Sequence, residues 1–388
     1  MSISWGNWDV RVYAAEAWVS LAPKFAAERP EIVDRIGEIL ADHQPAVRLQ
    51  AAQNLQVICK AAPERMWEMG ERIALTEISA QVLTAYLSHS LRRFSGAEVG
   101  RCEHILAIVK GRLSVFADEA DGPDHIQGCL GGWVAQLQAG QGRPLARDWL
   151  DEWAGDPEGF RDAINAYTSS LRGTFFSRYA ADAEQGEKDM NDRAQEGLAT
   201  VLESALDISA SAHAVLASDA PDEKKHVSGR AYVAAERVIL HAMNQLYFGA
   251  GVHAEHKEDG LGLNNAGAKA CFLADYADIL ALLRRSREPA TLHHLIELYE
   301  HLIPGDPVAV FTAIHAILTG PGAEEGYHFE RLGSTAVVKV VRRYIADHRG
   351  IFEDPVRRAK LVEILQLFSD VGWTEAIRLL YELPDLLR

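Results

Sequence analysis

Apolar positions recur every three to four residues along almost the whole chain, so nearly every segment reads as an amphipathic helix. Ile32, Ile36, Ile39 and Leu40 share one face. Val201, Leu202, Ala205 and Leu206 share another, and Leu292, Leu295, Ile296, Tyr299 and Ile303 form a third stripe. Period-two alternation is missing, and Asp121-Gly122 and Asp259-Gly260, which could turn a hairpin, sit in longer polar breaks. Many prolines, among them Pro30, Pro45, Pro63, Pro289, Pro307 and Pro355, lie near expected helix starts. A first-turn N–H has no intrahelical acceptor, so proline fits there. The fold class expected is all-α.

The chain also matches itself. Val10-Arg11-Val12-Tyr13-Ala14-Ala15-Glu16-Ala17-Trp18 aligns with Val47-Arg48-Leu49-Gln50-Ala51-Ala52-Gln53-Asn54-Leu55, 37 residues on. Small alanines let helix backbones approach, and the large residues fill the gap. Val10, Arg11, Ala14, Ala15, Val47, Arg48, Ala51, Ala52 and Leu55 are therefore the expected structural positions, with a second helix over Pro30–Asp42 between them. These residues resemble the HEAT repeat family. The resemblance implies a right-handed α-solenoid of HEAT-like helical hairpins, roughly eight or nine pairs of about 40 residues each.

Asp306-Pro307-Val308 and Asp354-Pro355-Val356-Arg357 echo the motif, each with an aspartate placed to cap a helix. The organisation expected is HEAT-like repeats over 1–118, an irregular helical middle over 119–285 and C-terminal HEAT-like pairs over 286–388. The middle holds two long helices, about 192–217 and 227–248, and a glycine-rich loop at 249–267 that reads as an excursion between repeats. Solenoid ends carry polar caps, whereas Trp5, Trp8 and Trp18 crowd the first Val-Arg helix. The expectation is that Met1 opens a piece of a longer protein. Leu246-Tyr247-Phe248-Gly249-Ala250-Gly251 resembles segments in the C-terminal halves of large bacterial multidomain proteins, some of which act in anti-phage defence. Read structurally, it is a glycine C-cap after a core-facing Tyr-Phe pair.

Composition narrows the function. Of 388 residues 48% are hydrophobic and 24% charged, enough to bury a core. The net charge of −16 disfavours a general attraction to nucleic acid or anionic membrane. Its distribution is uneven: residues 181–260 carry 15 acidic and 7 basic side chains, while 331–360 carry 8 basic and 3 acidic. Lys339, Arg342 and Arg343 share a helical face, and Arg357 and Arg358 follow. This basic stripe is a candidate partner-binding patch, and the route by which nucleic acid would be bound if it is. Four scattered cysteines, no secretory leader and no apolar run of membrane-spanning length place the chain in the cytoplasm.

Catalytic motifs do not emerge. GxxxxGK[ST], HExxH and GxSxG are absent, and Gly260-Leu261-Gly262 reaches Asn265 where a dinucleotide fingerprint needs glycine. Cys102-Glu103-His104 puts a thiol and an imidazole two residues apart on a helix, pointing different ways. His253-Ala254-Glu255-His256 is the densest local donor group, and His253 and His256 join the candidate partner-binding residues. His293, Glu297 and His301 fall on the polar side of their helix and read, like the His253 group, as solvated. The sequence thus points to a non-catalytic interaction scaffold with no cofactor and no metal. Its partner would be a protein or another module of the same chain, with no membrane contact. The alternatives are a nucleic-acid-binding module, a metal-dependent or glycosylase-like enzyme on a helical-repeat scaffold, and the sensor or C-terminal region of a bacterial anti-phage defence protein.

Overall fold

Proline or a capping side chain sets the start of helix after helix. Pro45, Pro63, Pro144, Pro289, Pro307 and Pro355 each occupy a first turn. Asp306 accepts from the N–H of Val308 and of Ala309, and Asp354 from that of Val356, as their motif requires. The computed structural model describes residues 10–117, 122–252, 263–324, 327 and 331–386. Among them the chain is helical, with no strand. It divides into two compact units, Met1–Trp133 and Val134–Arg388.

The first unit holds α1 (Val10–Phe25), α2 (Glu31–Ile39), α3 (Pro45–Ala52), α4 (Pro63–Thr76), α5 (Ala80–Ala85), α6 (Val99–Lys110) and most of α7 (Gly122–Ala135). α1 packs on α2 and α3, α3 packs on α5, and α4 packs on α6. Contacts thus run between alternate helices as well as neighbours. The starts of α3 and α5, at Pro45 and Ala80, are 35 residues apart, and Val12 of α1 and Val47 of α3, which pack together, are 35 apart as well.

Burial shows how the self-match works. Val47, Ala51, Ala52 and Leu55 are buried as expected, but Val10 is 79% exposed and Ala14 is also exposed. The core of α1 is instead Val12, Ala15, Val19 and Ala22, and Val12 and Ala15 pack with Val47. A shift of two residues turns a helix by about 200°, which is why the letters align while Val10 and Val47 face opposite ways.

The arginines keep a common role. Arg11 reaches Asp42 at 3.5 Å, and Arg48 grips Glu77 with Nε at 2.8 Å and a terminal nitrogen at 2.6 Å. Each spans from its own helix to the carboxylate just before the next helix of its layer. Trp5 and Trp8 lie outside the described residues, and Trp18 is half-buried.

The second unit begins with α8 (Pro144–Ala154), α9 (Arg161–Ser170) and α10 (Thr174–Ser177). Two long helices follow, α11 (Gln185–Leu216) and α12 (Asp222–Gly249), which pack along each other. α11 starts at 185 rather than 192 because of a capping box. The Glu184 carboxylate accepts from the backbone of Glu187, whose side chain accepts from the Glu184 N–H at 3.0 Å. α12 starts at 222 rather than 227, directly after Pro221.

The remaining helices are α13 (Ala266–Asp275), α14 (Ala277–Leu283), α15 (Pro289–Leu302), α16 (Pro307–Leu318), α17 (Pro321–Glu324), α18 (Arg331–Asp347), α19 (Pro355–Asp370) and α20 (Thr374–Leu386). α15 bridges, packing on α12, α16 and α18. α16 packs on α19, and α19 on α20. Aromatic rings fill the centres: Phe176 stacks on Phe272 at 5.3 Å, and Phe311, Tyr344 and Phe352 form a second cluster.

The expected Tyr-Phe cap is half right. Gly251 takes φ +73, the left-handed conformation a helix end needs. Tyr247 is buried, but Phe248 is 39% exposed.

Candidate functional site

A 32-residue and a 28-residue helix span about 48 and 42 Å at 1.5 Å per residue, much more than the neighbours they pack against. On α11 the core runs to within one turn of its end, with Ala205, Leu206 and Ala212, and on α12 it begins thirteen residues in, with Ala235, Val238 and Ile239. A buried polar knot marks the base of the tip. The Glu236 carboxylate, 4% exposed, accepts from Ser209 Oγ at 2.6 Å and Ser286 Oγ at 2.8 Å. Beyond it, from 213 to 234, no residue is buried.

The tip is therefore a bare turn formed by the last four residues of α11 and the first thirteen of α12, held by contacts such as His213 against Tyr232 and Leu216 beside Gly229. Val227 is 51% and Val233 46% exposed. Two clefts flank the hairpin. One, about 500 Å³, runs between the start of α9 and α12 and is lined by Arg161, Arg230, Val233 and Arg237 among others. The other, about 520 Å³, lies between α11 and α12 and includes Asp207, Ser211, Val215 and Val227. Sequence reasoning missed this surface, since helix ends buried and bare show the same apolar spacing. The readable signal was length.

The predicted basic stripe is engaged within its own unit. Lys339 Nζ sits 3.0 Å from Glu300, and Arg343 donates to the Glu300 carbonyl at 2.9 Å. Arg342 pairs with Glu375 at 2.5 Å. Arg357 pairs with Asp354 at 2.9 Å and donates to the Ile351 carbonyl, while Arg358 donates to the Phe352 carbonyl at 3.0 Å. These contacts pin helix ends and offset much of the stripe's charge. His253 and His256 lie outside the described residues.

The candidate chemistry resolves into packing. Cys102 is buried with its thiol pushed up to about 12, first by burial and then by Glu98 and Glu103, while His104 turns away to Glu71 at 3.1 Å. A Ser169–His241 contact of 2.9 Å looks like a nucleophile and its base. The same Nε2 lies 3.1 Å from the Asn165 carbonyl, which can only accept. The Gln245 side-chain nitrogen lies 3.0 Å from the same Nε2, so that atom is shared among three neighbours and is not reserved for the serine.

The expectation of solvated histidines on α15 fails for His293, whose side chain is 15% exposed. Next to it, His294 Nδ1 donates to Asn244 Oδ1 at 2.7 Å and the ring stacks on Tyr247 at 4.5 Å. Tyr247 donates to Glu297. Its phenol is pushed up to about 12 by burial first and that bond second. This seam ties α12 to α15.

Among the described residues no group of three or more His, Cys, Asp or Glu side chains is placed to hold a metal ion. No helix among them is long and apolar enough to cross a membrane. The chain matches no family model, no curated protein and no solved structure.

Proposed function

We propose that this chain is a protein-interaction scaffold, a HEAT-like solenoid of helical hairpins from which the α11–α12 hairpin reaches out as the docking element. The solenoid reading rests on the alternate-helix packing of the first unit and on the matched roles of Arg11 and Arg48. The docking reading rests on one observation: the last turn of α11, the turn after it and the first thirteen residues of α12, 213–234, are without a buried residue, yet the segment exposes Val227 and Val233 beside two clefts. Exposed apolar side chains gathered around clefts mark interaction surfaces. A mechanism of shape and charge complementarity, without covalent chemistry, follows.

The test places a photoreactive amino acid at Val227 and purifies the chain from its own cells. A single crosslinked protein, lost when Val227→Glu is introduced at unchanged helicity, is the expected result. Partner retention unaffected by Val227→Glu refutes docking on this hairpin.

A further inference from the structure

We propose that the cleft between the start of α9 and the outer half of α12 receives an acidic, leucine-rich peptide segment of a partner protein. The inference rests on the reading of the hairpin as a docking element and names the chemistry of what docks there. The cleft has a volume of about 500 Å³ and is apolar in the middle, where Pro157, Val233 and Ala234 line it. Cations stand around that middle. Arg161 holds the adjacent Asp162 at 3.0 Å. Arg230 holds Glu158 at 2.9 Å, with both side chains about half exposed, so this pair exchanges readily for another carboxylate.

Arg237 differs from both. It is exposed, lines the cleft, and makes no hydrogen bond or ion pair with any described residue. Three guanidinium groups thus face two carboxylates, with His226 also lining the cleft. The surplus is positive inside a stretch, 181–260, that carries 15 acidic and 7 basic residues. A planar guanidinium without a partner is suited to bidentate capture of a carboxylate. An apolar side chain next to that carboxylate would cover Val233, which is 46% exposed.

The surroundings select peptide over nucleic acid. Counterion release needs a continuous run of cations; at the hairpin turn Asp219, Asp222 and Glu223 outnumber Lys224 and Lys225, so no such run leads away from the cleft, whereas a short segment with few carboxylates needs only Arg237 and the exchangeable Arg230.

The experiment measures fluorescence anisotropy of three labelled probes on the full chain: a twelve-residue glutamate–leucine peptide, its lysine–leucine counterpart and a twelve-nucleotide oligodeoxythymidine. The glutamate–leucine peptide is expected to bind, to weaken at least tenfold in Arg237→Glu and to weaken less in Arg237→Gln. Arg237→Glu is further expected to gain binding of the lysine–leucine peptide. Equal binding of the two peptides, or an affinity unchanged in Arg237→Glu, overturns the proposal. So does displacement of the peptide by the oligonucleotide with the same Arg237 dependence, which would make the cleft a phosphate site. Arg237 makes no hydrogen bond or ion pair with a described residue, so a matching circular dichroism spectrum is expected for both variants. Val227 lines the opposite cleft: crosslinking that depends on Val227 with no Arg237 effect removes this inference and leaves the scaffold reading standing.

Discussion

Replacing Arg48 by methionine tests whether the repeat is held by its arginine. The side chains of Arg48 and Glu77 are 12% and 5% exposed. The guanidinium donates twice to the carboxylate and also to the Asp42 carbonyl at 2.9 Å. Glu77 in turn accepts from the N–H of Ile78 at 3.0 Å and of Ser79 at 2.8 Å, where α5 begins. Arg48→Met keeps much of the volume but leaves a buried carboxylate without its cation and a carbonyl without its donor. Breaking one side of a buried pair costs about 3–5 kcal/mol.

Arg11 offers an internal control. It meets Asp42 at 3.5 Å with side chains 42% and 21% exposed, so solvent screens the pair. Arg11→Met is expected to cost less than about 1 kcal/mol. The measurement is native-state hydrogen exchange at the amides of α3 and α5, which reads the loss at the helices the tie joins. Adding Glu77→Gln to Arg48→Met should cost less than the sum of the two single changes, by at least about 1 kcal/mol. Equal losses for Arg48→Met and Arg11→Met, or additive behaviour of the pair, would refute the argument that burial makes this tie strong.

Two further outcomes are expected. Gly249→Ala puts a Cβ into the Phe176 ring, which is itself stacked on Phe272, so thermal unfolding should show a loss of about 1–3 kcal/mol. His241 and His294 are held below the usual value near 6.5, in both cases chiefly by burial and for His294 next by His293. Depressed histidines give stability that is full above the unfolded value and is lost as pH falls from about 6.5 toward the folded values. Denaturant midpoints taken from pH 7.5 down to 5 should therefore decline, and His241→Asn with His294→Gln should flatten the slope. A slope unchanged in the double variant would disprove it.

Why some of this was readable in the sequence and some was not comes down to which physical signals are local. Helix starts are local: Pro45, Pro307 and Asp354 fix them within a turn. The Arg48 position was readable from the Val-Arg self-match, whereas its partner Glu77, 29 residues on, was not. Rotational phase is not local. Val10 and Val47 occupy matching letters, but α1 needs Val12 and Ala15 inward to meet Val47, and only the packed neighbour decides that.

Pairing of the charged stripe depends on the packed neighbour in the same way. Lys339, Arg342 and Arg343 are contiguous on their helix, while Glu300 and Glu375, which pair with them, are 39 and 33 residues away from Lys339 and Arg342. Conversely, Arg237 sits in a stretch, 181–260, with 15 acidic and 7 basic residues, yet it makes no hydrogen bond or ion pair with a described residue. A charge becomes available for recognition when the fold fails to pair it, and that depends on distant residues rather than on how many like charges stand beside it in sequence.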